Sequence, residues 1–170
     1  FPSVLGFVFF TPRHVDLTGW PYEDPSTGRS VYYRSTNDIV NPRWVLDNHR
    51  SAASINRVFA STNINFNIAK GLDFLYKIGV DNFGEGQLDQ INKGGINLDN
   101  GLYGTRDIKN TIWDNSAILS YTKELTSKIE VSGKLGGNIR NDQFSIVGAT
   151  SQNMLAPKLF RHSNFISQQT

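Results

Sequence analysis

Ile129-Glu130-Val131-Ser132-Gly133-Lys134-Leu135-Gly136-Gly137-Asn138-Ile139-Arg140 is the stretch on which the fold turns. Ile129, Val131, Leu135 and Ile139 alternate with Glu130, Ser132, Lys134, Asn138 and Arg140. A period of two puts the four apolar side chains on one face of a strand and the polar ones on the other, whereas a helix would scatter them around its axis. The run before it obeys the same rule. Trp113, Ala117, Leu119 and Tyr121 alternate with Asp114, Ser116 and Ser120, and a turn is expected at Lys123-Glu124-Leu125-Thr126. Residues 110–140 therefore read as one antiparallel hairpin.

Residues 55–83 read as a second. Val58, Ala60, Ile64, Phe66 and Ile68 oppose Arg57, Ser61, Asn63, Asn65 and Asn67. After a turn at Ala69-Lys70-Gly71, Leu72, Phe74, Tyr76, Ile78 and Val80 oppose Asp73, Lys77, Gly79 and Asp81, with Leu75 and Phe83 interrupting the polar row. Each run is about 11 to 14 residues long, beyond the usual soluble strand and close to a tilted membrane crossing.

The remaining segments, 1–54, 84–109 and 141–170, are polar and rich in Gly, Asn and Asp, and are expected to be extracellular loops. Short turns on one side and long loops on the other are the asymmetry of an outer-membrane barrel. A one-faced strand also covers the core of a soluble sandwich, so alternation alone leaves both folds open. Three features favour lipid. The polar faces carry glycine, asparagine and full charges, as a wet lumen permits. Aromatic residues sit near the strand ends: Phe66, Phe74 and Tyr121 by the short turns, Trp113 by the long loop. Four strands leave open edges, which hydrocarbon does not tolerate. The expected fold class is thus all-β, a partial transmembrane antiparallel β-barrel in one barrel domain, located in the outer membrane and crossing it several times. Phe1 follows no start Met or signal-peptide pattern and the chain stops in polar Ser167-Gln168-Gln169-Thr170, so both ends read as internal cuts in a longer polypeptide.

Composition removes several other classes. The 17 basic and 15 acidic residues are spread along the chain for a net charge of +2, without the basic stripe of a nucleic-acid binder. With no cysteine there is no disulfide, thiolate metal site or Cys nucleophile. His14, His49 and His162 lack metal-ligand spacing and read as solvated loop residues. Asp81-Asn82-Phe83-Gly84-Glu85-Gly86 and Asn97-Leu98-Asp99-Asn100-Gly101 evoke calcium loops but lack the ligand register and read as turns. Gly94-Gly95 and Gly101-Leu102-Tyr103-Gly104 lack the Lys-Ser/Thr ending of a phosphate loop. No catalytic constellation, metal site or cofactor is expected.

Phe10-Thr11-Pro12-Arg13-His14-Val15-Asp16-Leu17, Asn41-Pro42-Arg43-Trp44 followed by Asn48-His49-Arg50, Leu135-Gly136-Gly137-Asn138-Ile139-Arg140, and Leu155-Ala156-Pro157 with Ser163-Asn164 together resemble, in order and spacing, the barrel region of SusC/RagA-type TonB-dependent transporters of Bacteroidetes. The resemblance implies a 22-stranded barrel with an N-terminal plug absent from this chain, nutrient uptake driven by the TonB complex, a SusD-like surface lipoprotein as partner, and an oligosaccharide or oligopeptide as cargo.

Trp20, Tyr22, Tyr32, Tyr33 and Trp44 offer flat faces to sugar rings or peptide side chains, or else pack the first loop onto its neighbours. Arg57, Asp73, Lys77, Asp81, Glu130, Lys134 and Arg140 face the expected lumen, placed to meet cargo or to pair with one another and the plug. The rival readings are a secreted β-sandwich that binds glycans and an outer-membrane barrel serving secretion or adhesion.

Overall fold

The computed structural model describes residues 4–34, 39–96 and 98–170. The fold is all-β. Two short helices, α1 (Val4–Phe10) and α2 (Pro42–Asn48), precede four long strands, β1 (His49–Ala69), β2 (Leu72–Ile91), β3 (Leu102–Thr126) and β4 (Ile129–Met154), and a short β5 (Phe165–Gln169). They form one open antiparallel sheet in the order β1-β2-β3-β4-β5, with β5 held against the end of β4 by pairs from Thr150↔Gln169 to Met154↔Phe165.

The strands outrun the alternation that announced them. At 21, 20, 25 and 26 residues, they continue through much of what reads as loop, including 49–54, 84–91, 102–109 and 141–154. In these extensions polar and charged residues fall on both faces and apolar ones such as Phe144, Ile146 and Val147 do too, so the one-sided alternation is lost while the backbone ladder continues. The calcium-like run 81–86 is accordingly strand and not turn. The second turn falls at Ser127-Lys128, just past the expected Lys123-Glu124-Leu125-Thr126, all four of which still belong to β3. The first is the two-residue Lys70-Gly71, where Gly71 adopts φ +77°.

The described residues divide into two compact units. The second, 55–85 with 108–146, is bare sheet. The first, within 4–54, 86–107 and 147–170, holds a small core of Val40, Trp44 and Val45, against which Val4, Phe7, Tyr22 and Ile96 pack. Local chemistry explains α2: Asn41 caps it by accepting from the Arg43 N–H at 3.0 Å, and Pro42 occupies the first turn, where a missing N–H costs nothing.

Candidate functional site

In the second unit, side-chain contacts show that the alternating rows lie as expected. Phe66 and Phe74 approach ring to ring at 6.3 Å, joining the apolar rows of β1 and β2. The Tyr76 hydroxyl bonds Asn115 Oδ1 at 2.8 Å and Asn82 Nδ2 donates to Thr111 Oγ1 at 2.8 Å, joining the apolar row of β2 to that of β3. On the other face Asn138 Nδ2 donates to Asp114 Oδ1 at 2.7 Å and to Ser116 Oγ at 2.8 Å, joining the polar rows of β3 and β4. All four apolar rows therefore share one face of the sheet. Their side chains are uncovered: Val58, Phe66, Trp113, Tyr121, Val131 (51% exposed) and Leu135 (76%) stand in the open.

Arg57 and Asp81 meet on the polar face. The guanidinium donates from Nε at 2.9 Å and from Nη2 at 2.6 Å, a two-pronged pair across β1 and β2. Arg140 reaches Asp142 at 3.5 Å within β4. Asp73, Lys77, Glu130 and Lys134 are exposed along the same polar rows. Sequence alternation missed that this face also carries exposed Ile55, Phe59, Phe144 and Ile146; the first two interrupt the β1 polar row, and the last two lie in the expected loop 141–170.

The loop aromatics separate into different roles in the first unit. Trp44 is wholly buried, its Nε1 donating to the Gly28 carbonyl at 3.1 Å, and it presents no face to a cargo. A Cβ on Gly95 would lie 2.9 Å from its ring, so glycine is required there for the close approach. Tyr22 lies under the Arg43 guanidinium at 4.5 Å, and the hydrogen bond its hydroxyl makes to Asp47, followed by the charge of that carboxylate, raises the phenol above its ordinary pKa. Only Trp20 of these three is exposed. Tyr32 hydrogen-bonds Thr11 and meets Tyr33 edge to face.

The motif residues turn out to be clamps. Arg43 Nη1 donates to the carbonyls of Leu17, Thr18 and Trp20, at 3.3, 2.8 and 3.3 Å. Buried Asn48 donates to Trp44 O at 3.1 Å and accepts from Asn92 Nδ2 at 2.7 Å, while Asn92 Oδ1 accepts from the Lys158 N–H at 2.9 Å. Asn164 accepts from the Ala156 N–H at 3.1 Å and donates to the carbonyls of Ala156 and Leu159, closing the 155–164 loop. Such amides satisfy backbone groups that irregular segments leave unpaired.

Two histidines depart from the solvated expectation. His49 sits edge-on to Trp44 at 5.5 Å, and burial lowers its pKa. His162 bridges Thr105 Oγ1 at 3.0 Å and Ser151 Oγ at 2.8 Å under the Tyr103 ring. His14 is exposed. In the second calcium-like run Asn97 lies outside the described residues; Leu98 to Asn100 form a turn closed by Gly101 N–H to Leu98 O at 3.0 Å.

A cavity of about 650 Å³ opens in the first unit where α2 meets the strand extensions, lined by Val45, His49, Arg50, Asp89, Ile91 and Leu102 among others. Its strand residues lie in segments that read as loop, which is why sequence reasoning did not find it. Compared with models of known protein families and with curated protein sequences, the chain matches none.

Proposed function

We propose that this chain is a section of the wall of an outer-membrane β-barrel importer, which takes up oligosaccharides or oligopeptides with a SusD-like surface lipoprotein and is energised by the TonB complex through parts outside this chain. The observation that carries the reading is the single apolar face left bare by a one-layer sheet. Soluble monomers rarely expose contiguous apolar patches beyond a few hundred Å². The sandwich reading needs a second layer over the same rows, and the described residues place none there.

The dimensions support lipid as the cover. Residues 58–68, 72–80, 113–121 and 129–139 bound the apolar bands, matching the roughly 9–11 residues of a tilted crossing. The next position of each row towards the long connections is Asn56, Asn82, Thr111 or Asn141, so the apolar row gives way to amide and hydroxyl on every strand. On the opposite face, ion pairs such as Arg57–Asp81 suit a water-filled interior. Transport here involves no chemical step by this segment.

The chain has no cysteine, which makes a labelling test clean. Spin labels at Ile64→Cys, Val131→Cys and Leu135→Cys in the full-length protein reconstituted in lipid should be relaxed by oxygen dissolved in the bilayer. Labels at Asn65→Cys and Ser132→Cys should respond to a water-soluble nickel complex. Equal response of both sets to the nickel reagent, in a protein monomeric without detergent, would return the sandwich reading.

A further inference from the structure

The two ends of the apolar rows in the second unit differ in charge. Towards the long connections the rows pass into Asn56, Asn82, Thr111 and Asn141, all uncharged. Towards the short turns they pass into lysine. Lys123 stands two positions beyond Tyr121 in the apolar row of β3, and Lys70, in the first turn, falls two positions beyond Ile68 and two before Leu72. The Thr122 N–H donates to the Gly71 carbonyl at 2.7 Å, which sets Lys70 and Lys123 at the same level. Lys128 occupies the second turn, beside Ile129.

The carboxylates at this end are sorted to the other face. Asp73, Glu124 and Glu130 each belong to a polar row by alternation. All three lysines are exposed, and none forms an ion pair among the described residues. The face that carries Phe66, Phe74 and Tyr121 thus ends in cations without counter-ions. In such a place a lysine lays its hydrocarbon stem along apolar neighbours, for Lys123 the row neighbours Tyr121 and Leu125, and lifts its ammonium to the level of the headgroups.

We infer that the short-turn end of this face recognises anionic phospholipid headgroups, with Lys70, Lys123 and Lys128 set against the lipid phosphates. The inference rests on the barrel-wall reading and adds the kind of lipid that meets one rim of it. Charge complementarity selects the occupant. A net-negative headgroup supplies the counter-ions that the three ammonium groups lack, whereas a zwitterionic one brings its own cation beside each phosphate. Each lysine near an anionic bilayer surface favours association by about fivefold.

The test places a bimane fluorophore at Leu125→Cys, beside Lys123, or at Ile139→Cys, near the long connections, in the full-length protein reconstituted in phosphatidylcholine vesicles. Brominated acyl chains quench the fluorophore on contact, so mixtures with brominated phosphatidylglycerol or brominated phosphatidylcholine give the relative affinity of each lipid for that spot. At Leu125→Cys phosphatidylglycerol should be preferred by about fivefold or more. The preference should fall close to unity when Lys70→Gln, Lys123→Gln and Lys128→Gln are combined, and also in about 1 M salt, where the screening length shrinks to about 3 Å. At Ile139→Cys the two lipids should compete equally. Equal affinity at Leu125→Cys with the three lysines in place, a preference that survives the triple substitution, or the same preference at Ile139→Cys overturns the inference. Quenching without selectivity does so while leaving the barrel wall standing; absence of quenching by either lipid at both positions removes the barrel wall and the headgroup site together.

Discussion

At the scale of single residues, equal-looking aromatics have unequal weight. Trp20 and Trp44 both lie in the first 54 residues, but one is exposed and the other fully enclosed. Trp44→Ala should destabilise the first unit by about 3–5 kcal/mol, while Trp20→Ala should stay within about 0.5 kcal/mol; hydrogen exchange across residues 28–48 measures both. Which of two tryptophans is core depends on Gly28, Gly95 and Ile96 arriving around Trp44 from distant parts of the chain, and a linear pattern carries no trace of that. His49 adds a pH dependence. Burial makes the folded imidazole release its proton more readily than the ordinary value of 6.5, so the unfolded chain takes up more protons as the solution becomes acidic. The stability contributed by the neutral ring is complete above that value and declines as pH falls towards the folded-state pKa. Local melting of the first unit should therefore come earlier at about pH 5 than at pH 7, and His49→Gln should flatten the dependence.

At the scale of elements, what was legible is what alternates. The rows around Ile64, Val80, Leu119 and Val131 gave away four strands and their shared face, because a dyad repeat is local. The extensions beyond Asn56, Asn82, Thr111 and Asn141 were illegible, since polar residues on both faces mimic loop composition. The turn expected at 123–126 lies slightly later for a similar reason: Lys123 and Glu124 look like turn residues but continue β3 to Thr126. Gly71 shows what a true turn demands. It has φ +77°, and a Cβ there would collide with the Thr122 carbonyl of β3, whose own N–H donates to Gly71 O at 2.7 Å. Gly71→Ala should cost at least about 1–2 kcal/mol from the left-handed backbone alone, read as a lower urea midpoint, whereas Lys70→Ala should be nearly silent.

At the scale of the whole molecule, the two faces of the sheet predict opposite tolerances. On the importer reading, arginine at Ile64 or Val131 should cost about 2–4 kcal/mol at the bilayer midplane, while arginine at Asn65 or Ser132 should be mild. Unfolding titrations in lipid compare them, and equal damage at both kinds of site would count against the orientation. On that same importer reading, the alternation bears on how such a chain would reach its membrane. Its greasy residues are never gathered: α1, the most concentrated apolar stretch, has only seven residues, against roughly 20 for a membrane helix. A secretion channel that releases long apolar segments sideways into the inner bilayer finds nothing here to release. The polypeptide would pass through as an unremarkable polar thread, and an affinity for lipid would come into being only when neighbouring strands pair and sort their side chains to opposite sides.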